Sequence, residues 1–298
     1  AVVAVSACDI TLYPEDTITP GSYFRNETDL QLFTNNFYTN LPGESIYQDE
    51  ADIIINPMLH EAVSGQRIIP ATSSSNTSGW GWGLLRQVNY FLENSHRCPD
   101  EEVRKHYDGI ARFFRAYFYY CKVRMYGDVP CYDMVIGSAD TELLNKPRDS
   151  RKLVMDNVLK DLNYAIENIR DTKDVYRITK WSALALKSRI MLFEGTFRKY
   201  HGLGDWEKCL EECASASQTL INEGGYTLFS KGKNAYQTLF STLNATETMD
   251  EVILARDYNN GVTLRHSVQN YVTSPTAGCG GVTKRLVDAY LMKDGTRH

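Results

Sequence analysis

Residues 101–130 read EEVRKHYDGIARFFRAYFYYCKVRMYGDVP, and this stretch decides the fold. Val103, Tyr107, Ile110, Phe114, Tyr117, Cys121 and Met125 recur every three or four positions, the period of an α-helix. Phe113, Phe118 and Tyr120 widen the apolar stripe, and a helix apolar over so much of its circumference must be packed on several sides. Arg112, Arg115, Lys122 and Arg124 interrupt it, and their charged heads need water or acidic partners. Gly127 stops the helix, and Val129-Pro130 bars its continuation because the residue before a proline is pushed out of the α region. A central buried helix over 101–126 in an all-α protein is the expectation.

Working outward, helical periods recur on both sides. Asn26 is placed to cap a helix over about 27–40, with Leu30, Phe33, Phe37 and Leu41 as its stripe. Leu85, Val88 and Leu92 mark a helix over about 83–95. Ser150 precedes a helix over about 151–170 with Val154, Val158, Leu162, Ala165 and Ile169 on one face. Residues 180–199 carry Ala183, Ala185, Ser188 and Gly195, small enough for close helix approach. Trp206, Cys209, Cys213, Ala216 and Leu220 align over 206–223, which Gly224-Gly225 ends. Pairing 83–95 with 101–126, 151–170 with 180–199, and 206–223 with a shorter helix near 233–243 predicts a tetratricopeptide-like helical stack with long irregular loops and little β. Glu251–Ala255 reads as a short β-favouring run, 257–281 as a surface loop, and 282–292 as a last helix. The loop over 42–79 is long enough to be functional or to lack structure of its own, and it ends in Trp80-Gly81-Trp82.

Composition is that of an ordinary globular protein: 43% hydrophobic, 23% charged, net charge −5. No basic stripe stands out, so nucleic acid is not an expected partner. The 19 tyrosines offer apolar faces with polar handles, suited equally to wet binding surfaces and to packing. Seven cysteines include no CxxC pair and no zinc-like spacing, which favours free thiols and predicts no metal or cofactor. Catalytic signatures such as GxSxG, HExxH, Walker A and GxGxxG are missing from the sequence, so an enzyme is not expected. At the N-terminus, AVVAVSAC looks like the end of a signal peptide, and Val5-Ser6-Ala7-Cys8 is similar to a bacterial lipobox. Residues 1–7 are then a signal remnant, Cys8 is the lipidated residue, 8–26 is an extended tether, and 27–298 is the helical domain.

The motifs, in this order, resemble the SusD/RagB family of outer-membrane nutrient-binding lipoproteins. Trp82-Gly-Leu-Leu-Arg86-Gln-Val-Asn89 is similar to one helix start of that family. Ala111-Arg112-Phe-Phe-Arg115-Ala116-Tyr117, followed by Tyr126-Gly127-Asp128-Val129-Pro130, resembles its most recognisable signature, with Gly109-Ile110 in place of the usual acidic residue. Asp161-Leu162-Asn-Tyr-Ala165-Ile166, Arg177-Ile178-Thr179-Lys180, and Leu286-Val287-Asp288-Ala289-Tyr290 with Asp294-Gly295 complete the order. In full-length members the last element sits near mid-chain, so the chain resembles the N-terminal portion and is expected to lack the C-terminal part. The resemblance implies a non-enzymatic, surface-exposed, lipid-anchored protein of the outer membrane. It would bind an oligosaccharide and deliver it to a SusC-like TonB-dependent transporter. A peptide ligand, or a helical scaffold for protein partners, are the alternatives. By position in the family, Arg67, Trp80, Trp82 and Tyr271 would contact the ligand. Asn76 joins them on the reading of the loop itself, since sugars call for aromatic platforms beside amide and guanidinium hydrogen-bonders. Trp82 has a second reading, as a core residue opening its helix.

Overall fold

In the computed structural model, residues 23–43, 53–55, 61–66, 74–258, 273–274 and 281–296 are described. Among these residues the helices are α1 (Glu27–Asn35), α2 (Glu61–Ser64), α3 (Gly83–Asn94), α4 (Glu101–Tyr126), α5 (Thr141–Leu144), α6 (Arg151–Asn168), α7 (Lys180–Tyr200), α8 (Trp206–Glu223), α9 (Ala235–Ser241) and α10 (Lys284–Ala289). Ile54–Ile55 (β1) and Gly281–Val282 (β2) form one short antiparallel pair. The all-α expectation holds, and so does the central place of α4.

Local chemistry explains the helix ends. Asp100 accepts the Val103 N–H, Ser150 the Leu153 N–H and Asn26 the Asp29 N–H, each satisfying an orphan donor of a first turn. Thr179 and Ser182 close a reciprocal capping box at the start of α7. Gly127 ends α4 at φ +73°, a conformation that a side chain resists. The triplets beginning at Asn26, Asn76 and Asn244 match the glycosylation sequon, and in each the asparagine oxygen accepts a backbone N–H at a turn or helix start.

Sixteen of the 26 residues of α4 are buried, which requires neighbours on several sides. α4 packs on α1, α3, α6 and α7, and the stack continues through α6, α7 and α8. Phe91, Ile110, Phe114, Phe118, Val158 and Leu162 belong to the resulting core. At Gly195 a Cβ would sit 2.7 Å from Leu210 Cδ2, so the missing side chain is what lets α7 and α8 approach.

Three expectations are corrected. α8 packs on α7, and the short helix near 233–243 does not pair with it as a repeat partner: α9 is seven residues, none buried. Glu251–Ala255 forms no strand, because its polar backbone is used elsewhere: Ala255 donates to the Val175 carbonyl, and Val252 to that of Thr248. The last helix is six residues, cut off by a turn in which Met292 donates to the Thr296 carbonyl and Gly295 takes φ +83°.

Charge is neutralised inside the stack. Glu194, fully buried on α7, accepts from Arg151 Nη2 at 2.6 Å and from Arg198 Nε at 2.8 Å. The described cysteines, Cys98, Cys121, Cys131, Cys209 and Cys213, are all free.

His106 on α4 is 9% exposed, and its Nδ1 accepts the Arg170 backbone N–H at 3.2 Å. Burial, aided by the nearby Arg170 charge and opposed by Glu27, lowers its pKa from 6.5 to about 4. Between those values the unfolded chain binds the proton and the folded chain does not. Stability contributed by neutral His106 is therefore full above pH 6.5 and is lost as pH falls towards 4, at most about 3 kcal/mol. Urea titrations at pH 7 and pH 4.5 should resolve this loss, and His106→Gln should flatten it.

Candidate functional site

The sequence brings two tryptophans to the mouth of α3. Trp80 and Trp82 meet edge to face, with centroids 5.2 Å apart, and both are half-buried. Trp80 packs edge-on against Tyr126 at 4.7 Å, and Trp82 against Phe118 at 5.4 Å. The loop that carries them is held from beneath. Lys122, 1% exposed, donates from Nζ to the Gly79 carbonyl and lies 4.8 Å from the Phe118 ring and 5.6 Å from that of Trp82. Burial lowers its pKa from 10.5 to about 8.

Asn76 lies on the same loop and fixes the start of α3. Its Oδ1 accepts the Leu84 N–H at 3.1 Å, and its Nδ2 donates to Asn40 Oδ1 at 3.1 Å. One lone pair and one N–H of the amide are thereby committed to the fold. Asn76 is not among the residues that line the cleft described next, although Gly83, beside it, is. Arg67, Tyr271 and Cys8 lie outside the described residues, so of the sequence candidates the structure brings together Trp80 and Trp82.

Both tryptophans line an open cleft of about 480 Å³, within the ~300–1,000 Å³ span of small-molecule sites. Leu85, Arg86 and Asn89 on α3 form its floor, and Pro130, Tyr132, Met134, Ile136 and Leu144 form the opposite wall. Trp82 therefore does both things the sequence allowed: it opens a helix against the core and it faces the cleft.

Apart from Leu144, the last residue of α5, the wall has no regular secondary structure of its own, and its position is set by three helices. Asn89 on α3 donates to the carbonyls of Met134 at 2.9 Å and Tyr132 at 3.3 Å. Tyr119 on α4 accepts the Tyr132 N–H at 2.7 Å and donates to its carbonyl at 3.0 Å. Tyr132 in turn donates from its hydroxyl to the Leu143 carbonyl at 2.7 Å, and its ring lies 6.1 Å from that of Trp82.

Asn89 is itself held by Arg115, whose Nη1 donates to its Oδ1 at 3.1 Å. The same guanidinium grips Asp161 of α6 with two bonds of 2.7 Å, and Arg112 adds a third at 3.2 Å. Burial works to lower the Arg115 pKa, but the hydrogen bonds and charge of Asp161 more than reverse it. The arginines, Asn89 and Asp161 of the three sequence signatures thus form one buried network beside the cleft.

Arg86, Tyr132 and Met134 were not singled out from the sequence. Arg86 stands in the signature that begins at Trp82, and its spacing puts it one turn from Trp82. Nothing local to Tyr132 or Met134 marks them, because tertiary hydrogen bonds place them. Among the described residues no group of three or more His, Cys, Asp or Glu could hold a metal ion, and no helix is long and apolar enough to cross a membrane.

The family model described as SusD-like, starch-binding associating with outer membrane, matches residues 45–192. SusD-like protein P2 of Formosa agariphila is 24% identical over 295 residues, a match that takes in 94% of this chain and 55% of that protein. The family model, the curated relatives and the solved structures together support the SusD/RagB family. Its fold is that of known SusD-like structures. A SusD-like protein from Bacteroides fragilis superposes with a TM-score of 0.68 at 22% identity, covering 93% of this chain and 55% of that one. A laminarin-binding SusD-like protein gives 0.54 at 18% identity, covering 71% and 50%. This SusD-like chain spans about half the length of the curated relatives it matches.

Proposed function

We propose that this SusD-like chain binds an oligosaccharide in the cleft lined by Trp80, Trp82 and Tyr132, without transforming it. The observation that carries the reading is the pair of half-buried tryptophans set at 80° to each other over an open cleft. Pyranose rings present apolar C–H faces and equatorial hydroxyls, and flat indole faces suit the first. Arg86 is the exposed polar group on the same walls, and the Tyr132 hydroxyl, whose proton is donated to the Leu143 carbonyl, keeps a lone pair with which to accept; the Asn89 amide is fully committed to the fold. A related SusD-like structure is that of a laminarin-binding protein, and the matching family model is described as starch-binding, which supports the same ligand class. On this reading the protein is held at the outer face of the outer membrane by lipid on Cys8. It hands its glycan to a SusC-like TonB-dependent transporter.

Electrophoresis of the chain in native gels containing starch, laminarin, xyloglucan, polygalacturonate or alginate tests the binding. Retardation by at least one glycan, with no products released over hours, is the expected result. Indifference to every glycan would remove the reading and favour a scaffold for protein or peptide partners.

A further inference from the structure

We propose that the cleft selects an acidic glycan, one bearing a ring carboxylate such as a uronic acid, and that Arg86 is the residue that reads it. This deepens the glycan reading above and rests on it. Among the described residues that line the cleft, Arg86 alone is charged, and no carboxylate is present. Arg86 is exposed, and no described acidic side chain pairs with its guanidinium.

The buried arginines of the core differ from Arg86. Arg115 is paired with Asp161, and Arg151 and Arg198 with Glu194, in closed arrangements. Glu93 accepts the Val135 N–H, Asp149 accepts from Lys146 and from the Cys131 N–H, and Asp133, between two wall residues, lines a different pocket together with Arg112 and Arg115. Two features add positive character. Arg148 lies 5.5 Å from the centre of the Trp80 ring at the rim. The N-terminal end of α3, a 12-residue helix, opens at Gly83 in the cleft wall and carries partial positive charge.

A planar guanidinium matches a planar carboxylate through two parallel N–H···O bonds. On a uronic acid the carboxylate projects from the ring edge at C5, leaving the ring faces free to lie on an indole. A neutral glycan would cover the exposed Arg86 guanidinium without offering it a counter-ion.

Affinity electrophoresis of the full chain tests this with three probe classes: uronate polymers (polygalacturonate and alginate), neutral polymers (laminarin and starch) and a sulfated galactan. The expected result is retardation by a uronate polymer at least tenfold stronger than by either neutral one, weakening as NaCl rises from 50 to 500 mM. Arg86→Gln, an exposed change that leaves the fold intact, should abolish the uronate preference, and Arg86→Lys should restore only part of it. Equal retention of neutral and uronate polymers, or unchanged uronate retention in Arg86→Gln, would overturn the assignment. Retention by the sulfated galactan alone would overturn the carboxylate part of it. Indifference to all three classes would defeat the glycan reading itself, a different failure, and the Arg86 assignment with it.

Discussion

Replacing Asp161 with alanine is expected to destabilise the protein by about 3–5 kcal/mol, the cost of breaking a buried ion pair from one side. Asp161 is 5% exposed and Arg115 is 8% exposed, so both groups are largely withdrawn from water. The change strands the Arg115 guanidinium and removes the Arg112 contact as well. Arg112 retains its place over the Tyr164 ring at 4.2 Å, so the larger penalty falls on Arg115. A thermal melt should show the midpoint falling by roughly 10 °C, given about 2–4 °C per kcal/mol for a chain approaching this size. A midpoint within about 2 °C of wild type would mean that the network is not the clamp described. The double change Arg115→Met with Asp161→Leu should recover much of the loss, since well-packed apolar pairs often replace buried ion pairs at little cost. That double variant should still bind glycan less well. Without Arg115, the Asn89 amide loses the bond that fixes its orientation, and Asn89 is what holds the Tyr132 and Met134 carbonyls.

The same network marks where sequence reasoning carries and where it stops. The bounds of α4 and α8 were legible, because periodicity and end signals agree within each segment: an apolar stripe, an acidic first residue or cap, and Gly127 or Gly224-Gly225 at the end. The demand that Arg112 and Arg115 find acidic partners was legible too, but which partner was not, since Asp161 lies 46 residues from Arg115. The cleft was half legible. Trp80 and Trp82 stand out by composition and spacing. The opposite wall does not, because residues 130–136 take their shape from Asn89 and Tyr119 rather than from any local pattern. Pairing of Ile54–Ile55 with Gly281–Val282 joins segments more than two hundred residues apart and leaves no trace in either. Asn76 shows the opposite hazard: an amide next to an aromatic platform invites a ligand role, yet its Oδ1 is bound to the Leu84 N–H.

Removing both indoles, Trp80→Ala with Trp82→Ala, is expected to reduce glycan affinity by roughly a hundredfold. Each stacked ring contributes about 0.5–1.5 kcal/mol beyond area burial. Covering on the order of 50 Å² of indole face adds about 1 kcal/mol at ~25 cal/mol per Å². At the lower end of the stacking range, which suits a sugar that has no aromatic ring, two rings together come to about 3 kcal/mol, or two decades in the dissociation constant. The two positions are not equivalent. Trp80 has Tyr126 and Trp82 against it and the Arg148 guanidinium 5.5 Å above its ring, so a sugar reaching that face must displace the arginine. Trp82 rests on Phe118 and lies over Lys122, so its truncation also opens space beneath the loop. Trp82→Ala should accordingly lower both stability and affinity, whereas Trp80→Ala should act mainly on affinity. Trp80→Phe, which keeps a ring of smaller face, should lie between. Circular dichroism and a urea titration separate the folding loss from the binding loss, and affinity gels measure the second. A folded double variant retarded as strongly as wild type would place the ligand elsewhere on the molecule. Loss of binding that tracks loss of stability alone would make the pair a support for the wall at Tyr132 rather than a surface for sugar.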